Sequence, residues 1–128
     1  MTEPVRDLVQ YRLNRAFEVL EDAKILASAK RWKSCINRLY YSCFYAASAL
    51  LAKYDMSSSK HTGVLSLFNL HFIKTNKIRK DVAEIYNDLF DNRQESDYTD
   101  FVVFSEEEVL PQIEKTVSFI SAIKTLVS

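Results

Sequence analysis

The sequence predicts an all-α fold, an antiparallel up-and-down bundle of four to five helices filling a single domain over residues 1–128. Three observations lead there. One Gly and two Pro in 128 residues leave almost no turn chemistry for hairpins. Apolar residues make up 48% of the chain and recur at helical spacing. The length suits one core and is too short for two.

The first helix is expected from Thr2 to Ala29, with Pro4 tolerated in its first turn and Val9, Leu13, Ala16, Leu20, Ala23 and Ala27 inward at 4, 3, 4, 3, 4 spacing. Lys30-Arg31-Trp32-Lys33 interrupts that pattern. A second helix follows with Ile36, Leu39, Tyr40, Cys43, Ala47 and Leu50 inward, and its small residues Ala46, Ala47, Ser48 and Ala49 allow a neighbour to approach closely. Asp55 to Lys60 is polar and Ser-rich, a loop whose serines can cap the next helix. That third helix is placed from His61 to Lys74, and Thr75-Asn76-Lys77 forms a turn. The fourth runs from Ile78 to Gln94. Glu95 to Phe104 breaks periodicity and is expected as a loop or irregular link. Ser105 and Glu108 make a capping box that opens a last helix through Leu126, with Ile113, Val117, Ile120 and Val127 inward.

Seventeen basic and seventeen acidic side chains cancel, so no global field gathers nucleic acid or anionic membrane, and any such contact needs a local patch. Cys35 and Cys43 stand eight residues apart on one helix, a rise of about 12 Å, too far for a disulfide. Two free thiols, with no spanning apolar window and no export signal, lead to the expectation of a cytoplasmic protein away from membranes.

Metal ligation is not expected: His61 and His71 are ten apart and the cysteines lie on another helix. Gly63, the one glycine, cannot build a phosphate-cradling loop, and no cofactor motif is present. Glu106, Glu107 and Glu108 suit the positive end of a helix. Both cysteines read as small core hydrophobes. Lys74, Lys77, Arg79 and Lys80, beside Phe72, form the densest basic patch and are candidate phosphate contacts. Lys30, Arg31 and Lys33 around Trp32 form a second cluster, read as a turn pinned by the indole.

The most pointed feature is in the fourth helix. Ile78, Val82, Ile85 and Leu89 form its inward stripe, and the next position on that stripe is Arg93. A guanidinium stays charged at ordinary pH, so one aimed at a core edge needs an acidic or polar partner, or a ligand with oxygens to clamp.

Asn37-Arg38-Leu39-Tyr40-Tyr41-Ser42-Cys43-Phe44-Tyr45-Ala46-Ala47 resembles the signature helix of HEPN domains, small helical bundles. Lys60-His61-Thr62-Gly63-Val64 with Phe68 and Phe72 is similar to that family's third helix, and Arg93 through Asp97-Tyr98 falls where the family carries its functional arginine. The resemblance covers most of residues 10 to 125. It implies a homodimer whose arginine-bearing helices face each other. It also implies either metal-independent RNA cleavage, through an arginine followed by four to six residues and a histidine, or nucleotide binding beside a separate nucleotidyltransferase that can place AMP on a tyrosine. Here Tyr98 stands at the histidine's place, with four residues between it and Arg93. A phenol is a poor base at neutral pH but can donate a hydrogen bond or act as an acid.

The leading expectation is therefore a nucleotide- or RNA-phosphate-binding protein that partners a nucleotidyltransferase in a toxin–antitoxin type module. Arg93, Asp97 and Tyr98 would bind the ligand, and Tyr98 would be the modification site. The alternatives are a metal-independent endoribonuclease toxin that uses Arg93 and Tyr98, and a non-catalytic dimeric interaction module in which Arg93 pairs with an acid.

Overall fold

A computed structural model describes residues 1–98 and 102–128, with the backbone alone for Ser96 and Tyr98. Among them are five helices: α1 (Glu3–Ser28), α2 (Trp32–Lys53), α3 (His61–Phe68), α4 (Lys80–Tyr98) and α5 (Glu106–Val127). The all-α bundle expected from composition and periodicity is the fold found.

α2 is the central element, packing against α1, α3, α4 and α5. Its residues from Ala46 through Ala52 are all buried, and four of those seven are alanine. Small side chains let backbones approach, and polar atoms then bridge the gap. Ser42 Oγ donates to the Ala16 carbonyl at 2.8 Å. Arg12 Nη1 donates to the Ser48 carbonyl at 3.2 Å, and Lys53 Nζ to the Leu126 carbonyl at 2.7 Å. All six residues assigned inward on α2 are buried, as are five of six on α1; Ala27 is half-buried and Val19 joins the core instead.

Elsewhere the bounds and stripes need correction. α3 does not stay α-helical to Lys74 but passes into a π-helical segment, Asn69–Ile73, which Asn69 and Asn87 tie to α4 through reciprocal amide bonds of 2.9 and 3.0 Å. α4 starts two residues later than expected, and Ile78 is buried ahead of it. At its other end α4 runs past Gln94 to Tyr98, so Glu95 to Tyr98 is helix and not link. No Gly or Pro stands there to stop it, and its polar residues Gln94, Glu95 and Asp97 lie exposed, so apolar periodicity fades while the helix continues. The rest of the expected link includes residues 99–101, which lie outside the described residues. On α4 and α5 the buried stripe is wider than assigned. Ala83, Tyr86 and Phe90 are buried while Val82 is half-buried, and Val109, Thr116, Phe119 and Ile123 are buried while Val117 is half-buried. The capping box is as expected: Ser105 Oγ accepts from Glu108 N at 3.3 Å and Glu108 Oε1 accepts from Ser105 N at 3.1 Å.

Three helices end without glycine. Arg31 N bonds the Leu26 carbonyl and Lys30 N the Ala27 carbonyl; Met56 N and Asp55 N repeat this on Leu51 and Ala52, and Lys77 N and Asn76 N on Phe72 and Ile73. Each is the paired closure that requires a left-handed residue, and here Lys30, Asp55 and Asn76 take it, with φ of 58°, 56° and 58°. Gly63 serves elsewhere. A Cβ there would lie 2.0 Å from Ser58 Oγ, so its bareness lets the serine loop fold against the start of α3.

Replacing Lys30 by glycine relieves a side-chain penalty of about 1 kcal/mol at that closure. The melting temperature followed by circular dichroism is expected to rise by about 3–5 °C in Lys30→Gly. Asn76→Gly is expected to gain less, because asparagine already tolerates the left-handed region.

A histidine brought to the arginine

Arg93 sits on α4 one turn beyond the buried Leu89 and Phe90, where the helix leaves the core. Its guanidinium carbon stands 4.9 Å from the centroid of the Tyr40 ring and 5.3 Å from that of Tyr41. Ring faces attract cations, so two aromatics of α2 hold the arginine in place. Asp97, one turn on, has Oδ2 3.3 Å from Arg93 Nε, with the side chains 21% and 40% exposed for Arg93 and Asp97. The approach is an ion pair without hydrogen-bond alignment, and the buried Nε–H has no acceptor among the described residues. A half-exposed i, i+4 pair contributes only about 0.3–0.5 kcal/mol. Asp97 therefore tethers Arg93 without sequestering its charge.

The same two tyrosines hold a histidine. His61, the first residue of α3, places Nδ1 3.0 Å from the Tyr40 hydroxyl. Its ring lies 4.4 Å from the Phe44 ring and 5.7 Å, edge-on, from the Tyr41 ring, centroid to centroid. Burial first, and the Arg93 charge second, hold the imidazole below the ordinary value of 6.5, so it is neutral at physiological pH. Burial pushes the Tyr40 phenol up to about 12 even though Arg93 pulls it down, so Tyr40 stays neutral, and the direction of its bond to Nδ1 follows the tautomer of His61. On the outer side Arg38 stands 5.0 Å from the Tyr41 centroid while its Nε and Nη2 donate to Asn37 Oδ1 at 3.1 and 2.7 Å. Tyr41 thus carries two guanidinium groups.

Of the residues singled out in sequence, the structure joins Arg93 and Asp97. Tyr98 closes the same helix, and its side chain lies outside the described residues. Lys74, Lys77, Arg79 and Lys80 gather at the other end: Lys80 opens α4, thirteen residues or about 20 Å from Arg93. There Arg79 pairs with Asp81 and Lys80 with Glu84, while Lys77 lies over Tyr54 and Phe72. Sequence spacing missed His61, because the expected motif puts its histidine downstream of the arginine on one segment. Its position in the Lys60–Val64 stretch was the available signal. Cys35 and Cys43 are buried and free, and burial raises both thiols, Cys35 to about 11, which leaves them unreactive. Among the described residues no His, Cys, Asp and Glu group could hold a metal ion, and no helix is long and apolar enough to cross a membrane.

The HEPN domain profile matches residues 9–126, nearly the whole chain. The chain belongs to the HEPN family. A UPF0332 protein of Thermotoga maritima is 43% identical over 120 residues, covering 94% of this chain and 91% of that protein. A Methanocaldococcus jannaschii protein named "Putative toxin MJ0142" is 33% identical over 96 residues, covering 75% of this chain and 65% of that protein. A second from the same organism, "Putative toxin MJ0605", is 31% identical over 99 residues, covering 77% and 74%. The arginine-bearing α4 and the aromatic face of α2 both lie inside the matched HEPN span.

The shared tyrosines make a spectroscopic prediction. With two histidines in the chain, the ring protons of His61 are assigned by their loss in His61→Gln. His61 is expected to titrate below 6.5, and Arg93→Met is expected to move it upward, since the nearby cation disfavours a second positive charge. The sign carries to stability: a folded value below the unfolded one stabilises above pH 6.5 and is lost as pH falls through the folded value.

Proposed function

We propose that this HEPN protein is a toxin-type, metal-independent endoribonuclease in which Arg93 binds the scissile phosphate and His61 is the general base. The observation that carries this reading is that Tyr40 and Tyr41 hold a charged guanidinium and a neutral imidazole side by side. RNA cleavage without a metal needs those two groups. A base takes the 2′-hydroxyl proton, and the 2′-oxygen forms its bond to phosphorus. A fixed cation stabilises the negative charge on the phosphoryl oxygens, and the 5′-oxygen leaves with a proton from solvent or from the Tyr98 phenol. In the tautomer whose Nδ1–H donates to the Tyr40 oxygen, Nε2 is free to accept the 2′-hydroxyl proton. Asp97 keeps Arg93 on station, and Arg38 supplies a second phosphate contact on the neighbouring turn of α2. Relatives named as toxins support the toxin-type reading.

The test is cleavage of total RNA in EDTA by wild type, Arg93→Met and His61→Gln, matched for folding by circular dichroism. Wild type is expected to cleave. Loss of the base is expected to cost about 10²–10⁴-fold and loss of the phosphate-binding cation about 10²–10³-fold. The rate should fall as acid protonates His61, with an inflection below 6.5. Undiminished cleavage by His61→Gln would remove the histidine from the mechanism, and inactive wild type would return the site to nucleotide binding.

A second reading has one observation behind it: Tyr98 ends the helix that carries Arg93. In it the protein partners a nucleotidyltransferase that places AMP on Tyr98, and two copies pair as a homodimer. Co-expression with a transferase encoded beside it is expected to add one AMP to the intact mass of wild type and none to Tyr98→Phe. An unmodified wild type removes this reading.

A further inference from the structure

Behind Phe44, on the face of α2 turned toward α1, lies a cavity of about 180 Å³. Its walls come from four segments: Arg12 of α1, Phe44, Tyr45 and Ser48 of α2, the serine loop at Ser57 and Ser58, and Val64 of α3. We infer that this cavity is a nucleobase subsite, selective for guanine, that reads the base attached to the phosphate held by Arg93. The inference rests on the phosphate-binding reading of the Arg93 site and adds to it the identity of the ligand's base.

Four observations carry it. Phe44 is common to both places: its ring packs on His61 at 4.4 Å between centroids and also lines the cavity, so the cavity and the His61 site share a wall. The volume is below the roughly 300–1,000 Å³ of a drug-sized pocket, a scale suited to one planar ring system. Phe44 and Tyr45 give it aromatic walls, on which any base can stack. The polar groups then discriminate. Among the described residues Arg12 has no carboxylate partner, and no carboxylate lines the cavity; Arg12 Nη1 is spent on the Ser48 carbonyl at 3.2 Å, which fixes the fork and leaves its other N–H groups to donate. Guanine offers two adjacent acceptors, O6 and N7, to such a fork, whereas adenine offers a donor beside N7.

The experiment is titration of the whole protein with guanosine 3′-monophosphate, adenosine 3′-monophosphate and inorganic phosphate, followed calorimetrically for wild type, Arg12→Met, Arg12→Lys and Arg93→Met. Wild type is expected to bind the guanosine nucleotide at least about tenfold more tightly than either other ligand. Arg12→Met is expected to bring the guanosine nucleotide to the level of the adenosine nucleotide while leaving phosphate unchanged. Arg12→Lys, which keeps the charge and the stem, is expected to lose the same preference, because a point charge does not reproduce the fork. Arg93→Met should weaken all three ligands alike. Equal affinity of wild type for both nucleotides and phosphate would overturn the base subsite and leave the Arg93 reading standing. Wild type binding none of the three would overturn both, and a guanine preference that survives both Arg12 variants would overturn the role of Arg12 and with it the assignment.

Discussion

The site depends on one buried phenol. Tyr40 is fully buried in the middle of the bundle, and its ring touches Tyr41, Phe44, Tyr86 and Phe90 at centroid distances of 5.1, 6.3, 6.2 and 6.0 Å. A ring so placed is immobile, and its hydroxyl, cut off from water, must find a partner inside the protein. That partner is His61, the residue on which α3 begins. The ring face meanwhile attracts the guanidinium at the end of α4. One side chain of α2 thus orients both a base and a cation from two other helices. Further inward the aromatic packing continues through Tyr86, Phe68 and Phe119, tying the site to the rigid centre of the fold. The Tyr86 hydroxyl, by contrast, is buried without a partner among the described residues.

How much of this the sequence discloses follows from which interactions are local. Periodicity on α1 locates five of its six buried residues because that helix buries a narrow, regular stripe. It falls short on α2, α4 and α5, whose buried faces are wider than one stripe: the C-terminal half of α2 is buried all round, and α4 and α5 carry buried residues between the assigned positions. Arg93 was legible because it continues an apolar stripe, a fact of one helix. His61 was not, because its meeting with Arg93 is made by a tyrosine on a third helix, and no spacing rule along the chain records that. The basic run Lys74 to Lys80 is the opposite case: it is dense in sequence, yet its charges are partly paired and stand a helix-length from the arginine.

Electrostatics separate a structural arginine from one that holds a ligand. A buried cation with a dedicated buried carboxylate is neutralised, and its removal strands the partner. Arg93 has a partly exposed carboxylate on its rim, two ring faces beneath it, and a second guanidinium on the far side of Tyr41. Each ring contributes about 0.5–2 kcal/mol of attraction but no negative charge. The local balance is therefore positive in a chain whose net charge is zero. That balance suits an oxyanion, whose oxygens match the fork that Asp97 engages only at Nε.

The origin of the histidine has a consequence for control. A base and a cation on one helix keep a fixed relation for as long as the helix persists. Here they reside on α3 and α4, and α3 is entered from the serine loop, whose path depends on the contact of Ser58 with the bare Gly63. Displacing that loop would draw His61 away from Tyr40 while leaving Arg93 on its two rings. In the proposed ribonuclease, phosphate binding would then persist without a base in position, so the register of α3 against α2, rather than the presence of the arginine, would decide cleavage.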